Sequence, residues 1–154
     1  VKNLRFQTLI VLALLATVFG AYATEEPATE TVSETETGYT FDLATDEALG
    51  AFLVDGEGMT LYRFATDVPG SRKSACYGSC ADRWPPLFAE VIEVPAELDV
   101  TDFNGFERDD GTIQTTYQGW PLYYYFEDEA PGDVKGQGVG GVWFVVSPES
   151  VPTE

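Results

Sequence analysis

Histidine is missing from this sequence, and basic residues are scarce. Eight Lys and Arg stand against 26 Asp and Glu, for a formal net charge of −18. Without histidine there can be no Ser-His-Asp or Cys-His constellation and no His-ligated zinc. So large a negative surplus repels nucleic acid and anionic membrane surfaces, which are both polyanions. Lysine occurs only at Lys2, Lys73 and Lys135, while acid is spread along the whole chain. That pattern fits life in concentrated salt, where screening removes most self-repulsion; an ordinary acidic secreted protein is the plainer alternative. No Asn-x-Ser/Thr sequon occurs, since Asn3 and Asn104 have the wrong followers. Cysteine appears twice, at Cys76 and Cys80, with neither C-x-x-C nor C-x-x-C-H spacing. After the first 23 residues no apolar run is long enough to cross a bilayer, so no transmembrane helix is expected in the mature chain.

What is present has a clear order. Lys2 and Arg5 precede the short apolar stretch "LIVLALLATVFG", and "AYA" (Ala21 to Ala23) is a small-x-small site. Residues 1–23 therefore read as a signal peptide cut after Ala23, with an uncleaved anchor as the rival. Residues 24–38, "TEEPATETVSETETG", are acidic, threonine-rich and nearly free of large apolar residues, so they read as a disordered stalk. Residues 39–148 read as one domain, and 149–154 as a tail. Strand runs are punctuated by turn signals at Asp55-Gly56-Glu57-Gly58, Asp110-Gly111 and Gln118-Gly119, with a last strand in Gly141 to Pro148. Only Thr45 to Phe52 looks weakly helical. The expected class is mainly β: a small antiparallel domain of two tandem hairpin-containing repeats, about 49–88 and 105–148, forming a pseudo-symmetric sandwich or barrel-like fold with little helix.

The repeat is visible by eye. "GMTLYRFATDVPG" (Gly58 to Gly70) aligns with "GWPLYYYFEDEAPG" (Gly119 to Gly132), and a tryptophan follows each copy, Trp84 and Trp143. Neither half could bury its apolar face alone, so the two should pack together. These strings, with "CYGSCADRWPPL" and "PGDVKGQGVGGVWFVVSP", resemble the secreted-repeat family often called predicted lipoproteins, marked by a Y-x-[FWY]-x-x-D or Y-x4-D motif. The resemblance covers nearly all of Leu49 to Pro148. It implies an exported cell-envelope protein, with no established biochemical activity. Its motif positions here are Tyr62, Phe64 and Asp67, then Tyr123, Tyr125 and Asp128. Many members carry a lipid-modified cysteine just after the signal peptide. Here the first cysteine is Cys76, so a lipid anchor is unsupported.

On an extended strand Tyr62 and Phe64 share one face, and Tyr123 and Tyr125 share another, opposite Leu122, Tyr124 and Phe126. A five-residue extended step spans roughly 16 Å, so Tyr62 and Asp67 meet only if the chain bends between them. Pro69-Gly70 and Pro131-Gly132 supply such a bend. The structural reading is that each Asp caps its turn through backbone N–H groups and receives a tyrosine hydroxyl brought round by that turn. The functional reading is a cation or ligand site. Calcium takes six to eight oxygens, and Glu127, Asp128, Glu129 and Asp133 crowd one loop, with Glu107, Asp109 and Asp110 in another. Of these, Asp128, Glu129 and Asp133 are the candidate metal ligands, although neither loop has EF-hand spacing.

Cys76 and Cys80 in an exported chain default to a disulfide. A redox dithiol, or a soft-metal site with Met59, is the rival. "GQGVGG" matches G-x-G-x-x-G at Gly136, Gly138 and Gly141, but it precedes a strand where the dinucleotide fingerprint follows one. A carboxylate pair with Trp120, Tyr117, Tyr123 and Tyr124 exposed for sugar stacking would suit a glycosidase, yet no two acids stand out. The expectation is a non-catalytic exported envelope or extracellular repeat protein without a cofactor, its partner an unknown envelope component. A Ca²⁺- or glycan-binding module is the alternative, and an envelope redox protein the distant one.

Overall fold

A computed structural model of the chain describes residues 38–90 and 92–148. The expected signal segment, the stalk up to residue 37 and the tail 149–154 lie outside the described residues. Among the described residues eight short strands order as β1 (Tyr39–Asp46), β2 (Gly50–Asp55), β3 (Tyr62–Phe64), β4 (Ile92–Glu93), β5 (Phe103–Glu107), β6 (Ile113–Tyr117), β7 (Trp120–Pro121) and β8 (Trp143–Val145). One helix, α1 (Ser79–Arg83), follows β3. The strands form three small sheets, β2-β1-β4, β3-β8 and β5-β6-β7, antiparallel except for the β1–β4 pair. The fold is mainly β, as expected, but no sheet closes into a barrel.

The two copies share one plan. The β1–β2 hairpin of the first corresponds to β5–β6 of the second. At Gln118-Gly119 both residues have positive φ, 47° and 84°, the conformation a two-residue type I′ hairpin demands. Gly119 also has no room for a side chain, because a Cβ there would lie 2.7 Å from the Gly70 nitrogen. The weak helical signal in Thr45 to Phe52 gives way to the turn that joins β1 to β2. Asp46 accepts the Ala48 and Leu49 N–H groups at 2.8 and 3.0 Å, and Gly50 takes φ 74°. A continuous ladder from Phe41–Asp55 to Asp46–Gly50 then outweighs local propensity.

Side-chain alternation sorts the core into two clusters. Leu61 and Leu122 enter one with Phe41, Leu53, Leu87, Phe103 and Val146. Their neighbours Tyr62 and Tyr123 enter the other with Trp84, Tyr125 and Trp143. The aromatics expected at the surface are mostly inside: Tyr117, Tyr123 and Trp120 are buried and Tyr124 is half-buried, so they offer no open stacking platform. Packing the two halves against each other covers these rings, as the apolar face of each half requires.

Candidate functional site: a crossed tyrosine–aspartate clasp

The halves meet at the tyrosines that open each motif. Tyr62 N–H donates to the Tyr123 carbonyl at 2.8 Å, and Tyr123 N–H donates back to Tyr62 at 2.9 Å. Every neighbouring bond has a twin. Gly70 N–H reaches Gly119 O and Gly132 N–H reaches Gly58 O, both at 3.0 Å. Leu53 N–H reaches Val146 O at 2.7 Å, as Thr115 N–H reaches Leu87 O at 2.8 Å. These backbone bonds of the seam thus follow a local two-fold. β8, the last strand of the second copy, pairs with β3 of the first, and the bridge Pro86–Tyr123 is its counterpart on the other side of the seam.

The motif side chains follow the same rule. Tyr62 OH donates to Asp128 Oδ2 at 2.6 Å, and Tyr123 OH donates to Asp67 Oδ2 at 2.7 Å. The expected pairing of Tyr and Asp inside one copy does not occur. The strand carries the tyrosine away from its own turn, and the two-fold brings the other copy's turn to it. Each aspartate also closes its own loop with Oδ1. Asp67 accepts Ala75 N–H at 2.7 Å, and Asp128 accepts Lys135 N–H at 3.0 Å. These are loop-spanning bonds rather than the local Asx-turn expected. The hydroxyls have second partners as well. Gly136 N–H donates to Tyr62 OH at 3.2 Å, and Ser74 Oγ lies 2.7 Å from Tyr123 OH. With the Tyr123 proton committed to Asp67, Ser74 is the donor in that pair.

Burial sets the protonation chemistry. Desolvation raises both carboxyls above the usual aspartate range, with the tyrosine and backbone donors pulling the other way. Both phenols are pushed up, first by burial and then by the neighbouring carboxylates. The phenols therefore keep their protons at neutral pH and can donate to the aspartates.

The remaining motif positions, Phe64 and Tyr125, stack on the tryptophan of the opposite copy. Phe64 lies on Trp143 with centroids 4.2 Å apart, and Tyr125 on Trp84 at the same separation. The tryptophans stack on each other at 3.8 Å and 3°. A four-ring pile, Phe64–Trp143–Trp84–Tyr125, thus crosses the seam, built from motif positions and the tryptophan that follows each copy.

Loop 1, between β3 and Trp84, carries the expected Cys76–Cys80 disulfide, with Cys76 fully buried. Sequence reasoning missed its partner, Arg108, which is 3% exposed. Its guanidinium donates to Cys76 O at 2.6 Å and to Gln114 Oε1 at 2.5 Å, and lies 4.5 Å from the Tyr77 ring centroid. A lone basic residue amid Glu107, Asp109 and Asp110 was the one available signal.

The candidate metal residues sit in the matching loop 2, between Tyr125 and β8, but they do not converge. Asp133 Oδ2 accepts the Glu129 and Ala130 N–H groups at 2.9 and 3.2 Å and pairs with Lys135 Nζ at 2.9 Å. Glu129 lies 3.6 Å from the same ammonium. Among the described residues no three Asp, Glu, Cys or His side chains are grouped to hold a metal ion. "GQGVGG" leads through a 3₁₀ turn (Val139–Gly141) into β8, not from a strand into a helix.

A two-copy β unit whose tyrosines and aspartates are exchanged across a local two-fold is the class this geometry defines. The chain belongs to the family described as a secreted repeat of unknown function, whose model matches residues 44–88 and 105–147, one match per half and together more than half of the chain. No curated protein and no solved structure matches it. No helix among the described residues is long and apolar enough to cross a membrane.

Proposed function

We propose that the chain is a non-catalytic exported protein of the cell envelope or extracellular space, suited to high salt, whose family motif is a clasp and not a catalytic site. One observation carries this reading: both oxygens of Asp67 and both of Asp128 are already engaged, one by a backbone N–H and one by the other copy's tyrosine. A general base or a nucleophile needs an uncommitted atom facing a substrate. The same commitment, with Asp133 tied to Lys135 and two N–H groups, leaves loop 2 few of the oxygens that calcium requires. The disulfide acts as a staple on loop 1, since Cys76 is buried. An envelope component is the partner in this reading.

Thermal melting of the exported protein, as recovered from its own culture, tests it. Below about molar salt the fold should loosen as screening of the surplus charge is lost. At constant ionic strength EDTA should leave Tm unchanged. A Tm that falls with EDTA would replace this reading with a calcium module, and a melt indifferent to salt would remove the high-salt part.

A further inference from the structure

The clasp explains loop 1 except for two residues. From the Pro-Gly corner to the N–H that the motif aspartate accepts, loop 2 takes three steps, Gly132 to Lys135, and loop 1 takes five, Gly70 to Ala75. The extra pair is Arg72-Lys73, two adjacent cations in a chain of net charge −18. Both are exposed, and Arg72 has φ 57°, the left-handed region that a non-glycine residue enters only at a conformational cost. Arg72 has no hydrogen bond or ion pair with any described residue. The side chain is therefore presented, in a strained conformation, with its donors unused.

Arg72 lines a cleft of about 240 Å³ between loop 1 and the β5–β6 hairpin. Asn104 and Thr116, directly paired in the β5–β6 register, supply the polar side chains of the hairpin side. Thr116 Oγ1 gives its proton to Asn104 O at 3.3 Å, which leaves its lone pairs to accept. Gly70, Gly105 and Gly119 keep the backbone open around the space. The size suits one six-membered sugar ring. A guanidinium fork suits a carboxylate, and an amide with a hydroxyl suits ring hydroxyls. A second cleft, beside Tyr39 and Tyr124, is lined by Asp55 and Glu57 and would repel an anion.

We propose that the cleft between Arg72 and the Asn104–Thr116 pair binds a single uronic acid unit of an otherwise neutral glycan, with Arg72 on its carboxylate. The inference goes beyond the clasp reading and does not depend on it, because no clasp residue takes part. Titration of the full exported protein with glucuronate, at a fixed salt concentration high enough to keep it folded and followed by ¹⁵N NMR, tests it. Saturable shifts should centre on the Gly70, Arg72, Asn104 and Gly119 amides. Arg72→Gln should weaken binding about tenfold or more, as loss of a charge-assisted fork does. Asn104→Ala should weaken it less, and Arg83→Gln, which alters a cation resting on Phe126, should leave it unchanged. All three substitutions are on exposed side chains, and an unchanged Tm confirms that the fold is kept. The proposal is overturned by the absence of saturable shifts, by shifts centred elsewhere, by an Arg72→Gln protein that binds as before, or by glucose or acetate binding as tightly as glucuronate.

Discussion

Loop 1 and loop 2 do the same job with opposite chemistry. Each follows an aromatic segment, turns at Pro-Gly, and delivers an aspartate to the other half's tyrosine. Loop 1 is held from inside, by a disulfide and by the buried guanidinium of Arg108, a residue of the second half. Loop 2 has a buried side-chain tie, the Thr60 hydroxyl on Asp133 O at 2.6 Å, and is otherwise held from outside, by glycine-rich turns and by Lys135, an exposed ammonium that bonds to Glu127 O at 2.8 Å and pairs with Asp133. Asp67 is correspondingly buried, at 5% exposure, while Asp128 is half-buried. A two-fold seam thus tolerates unequal supports, provided the atoms that cross it are the same. The inequality should be measurable, because buried and exposed polar groups differ greatly in what their removal costs.

The largest expected effect is at Arg108. Arg108→Met removes donors from the buried Cys76 carbonyl and Gln114 amide and leaves both short of a partner. Hydrogen bonds from a charged group are worth roughly 1.5–3 kcal/mol each, so a loss of about 3 kcal/mol or more in urea unfolding is expected. A loss below about 1 kcal/mol would mean that the disulfide alone orders loop 1.

Next come the clasp tyrosines, compared with each other. Tyr123→Phe leaves the buried Asp67 without its hydroxyl donor, and Tyr62→Phe does the same to the more solvated Asp128. Both should destabilise, the first by about 2–3 kcal/mol and the second by about 1–2 kcal/mol. Equal losses would refute the claim that loop 1 is the drier support. Double-mutant cycles should give coupling for Tyr62 with Asp128 and for Tyr123 with Asp67, and none for Tyr62 with Asp67.

This crossing was the part the sequence could not reveal. A phenol needs an acceptor and a buried carboxylate needs donors, and the motif advertises both needs. It does not say which of two equivalent copies answers them. The alternation that places Tyr62 and Phe64 together, the Gln118-Gly119 hairpin, the Asp110-Gly111 turn and the disulfide were all legible, because each is settled within a few residues. Arg108 was not, since its acceptor at Cys76 lies far away in sequence and only the assembled seam brings them together. Thr45 to Phe52 misled for the same reason: a long-range ladder overrode a local preference.

Acidification should produce a smaller shift. Asp67 and Asp128 have folded-state pKa values above the unfolded ones. Their contribution is therefore complete below the ordinary aspartate range and is lost as pH rises through the raised values. Lowering pH from neutrality toward that range also relieves the net repulsion. Tm should therefore rise by a few degrees, roughly what 1 kcal/mol moves a domain of this size. Below that range the trend should reverse. Asp99, Asp110 and Asp133 are held low, chiefly by backbone and side-chain hydrogen bonds, and protonating them removes what those bonds contribute. Asp67→Asn should blunt the rise, and a monotonic fall from neutrality would show that the buried pair does not govern it.

The smallest effect belongs to the outside support. Lys135→Met deletes two ion pairs and the bond to Glu127 O, yet every partner stays in reach of water. Exposed pairs rarely contribute more than about 1 kcal/mol, and salt screens them further. The loss should be the smallest of the series and vanish in concentrated salt, because the backbone N–H of residue 135, which Asp128 accepts, survives the substitution. Glycine turns, that N–H, the Thr60 bond to Asp133 O and the Gly136 N–H on Tyr62 OH would then suffice to hold Asp128 on Tyr62. A loss approaching that of Arg108→Met would instead mean that loop 2 is pinned from a charge at its surface, and that the two halves of the clasp are supported alike.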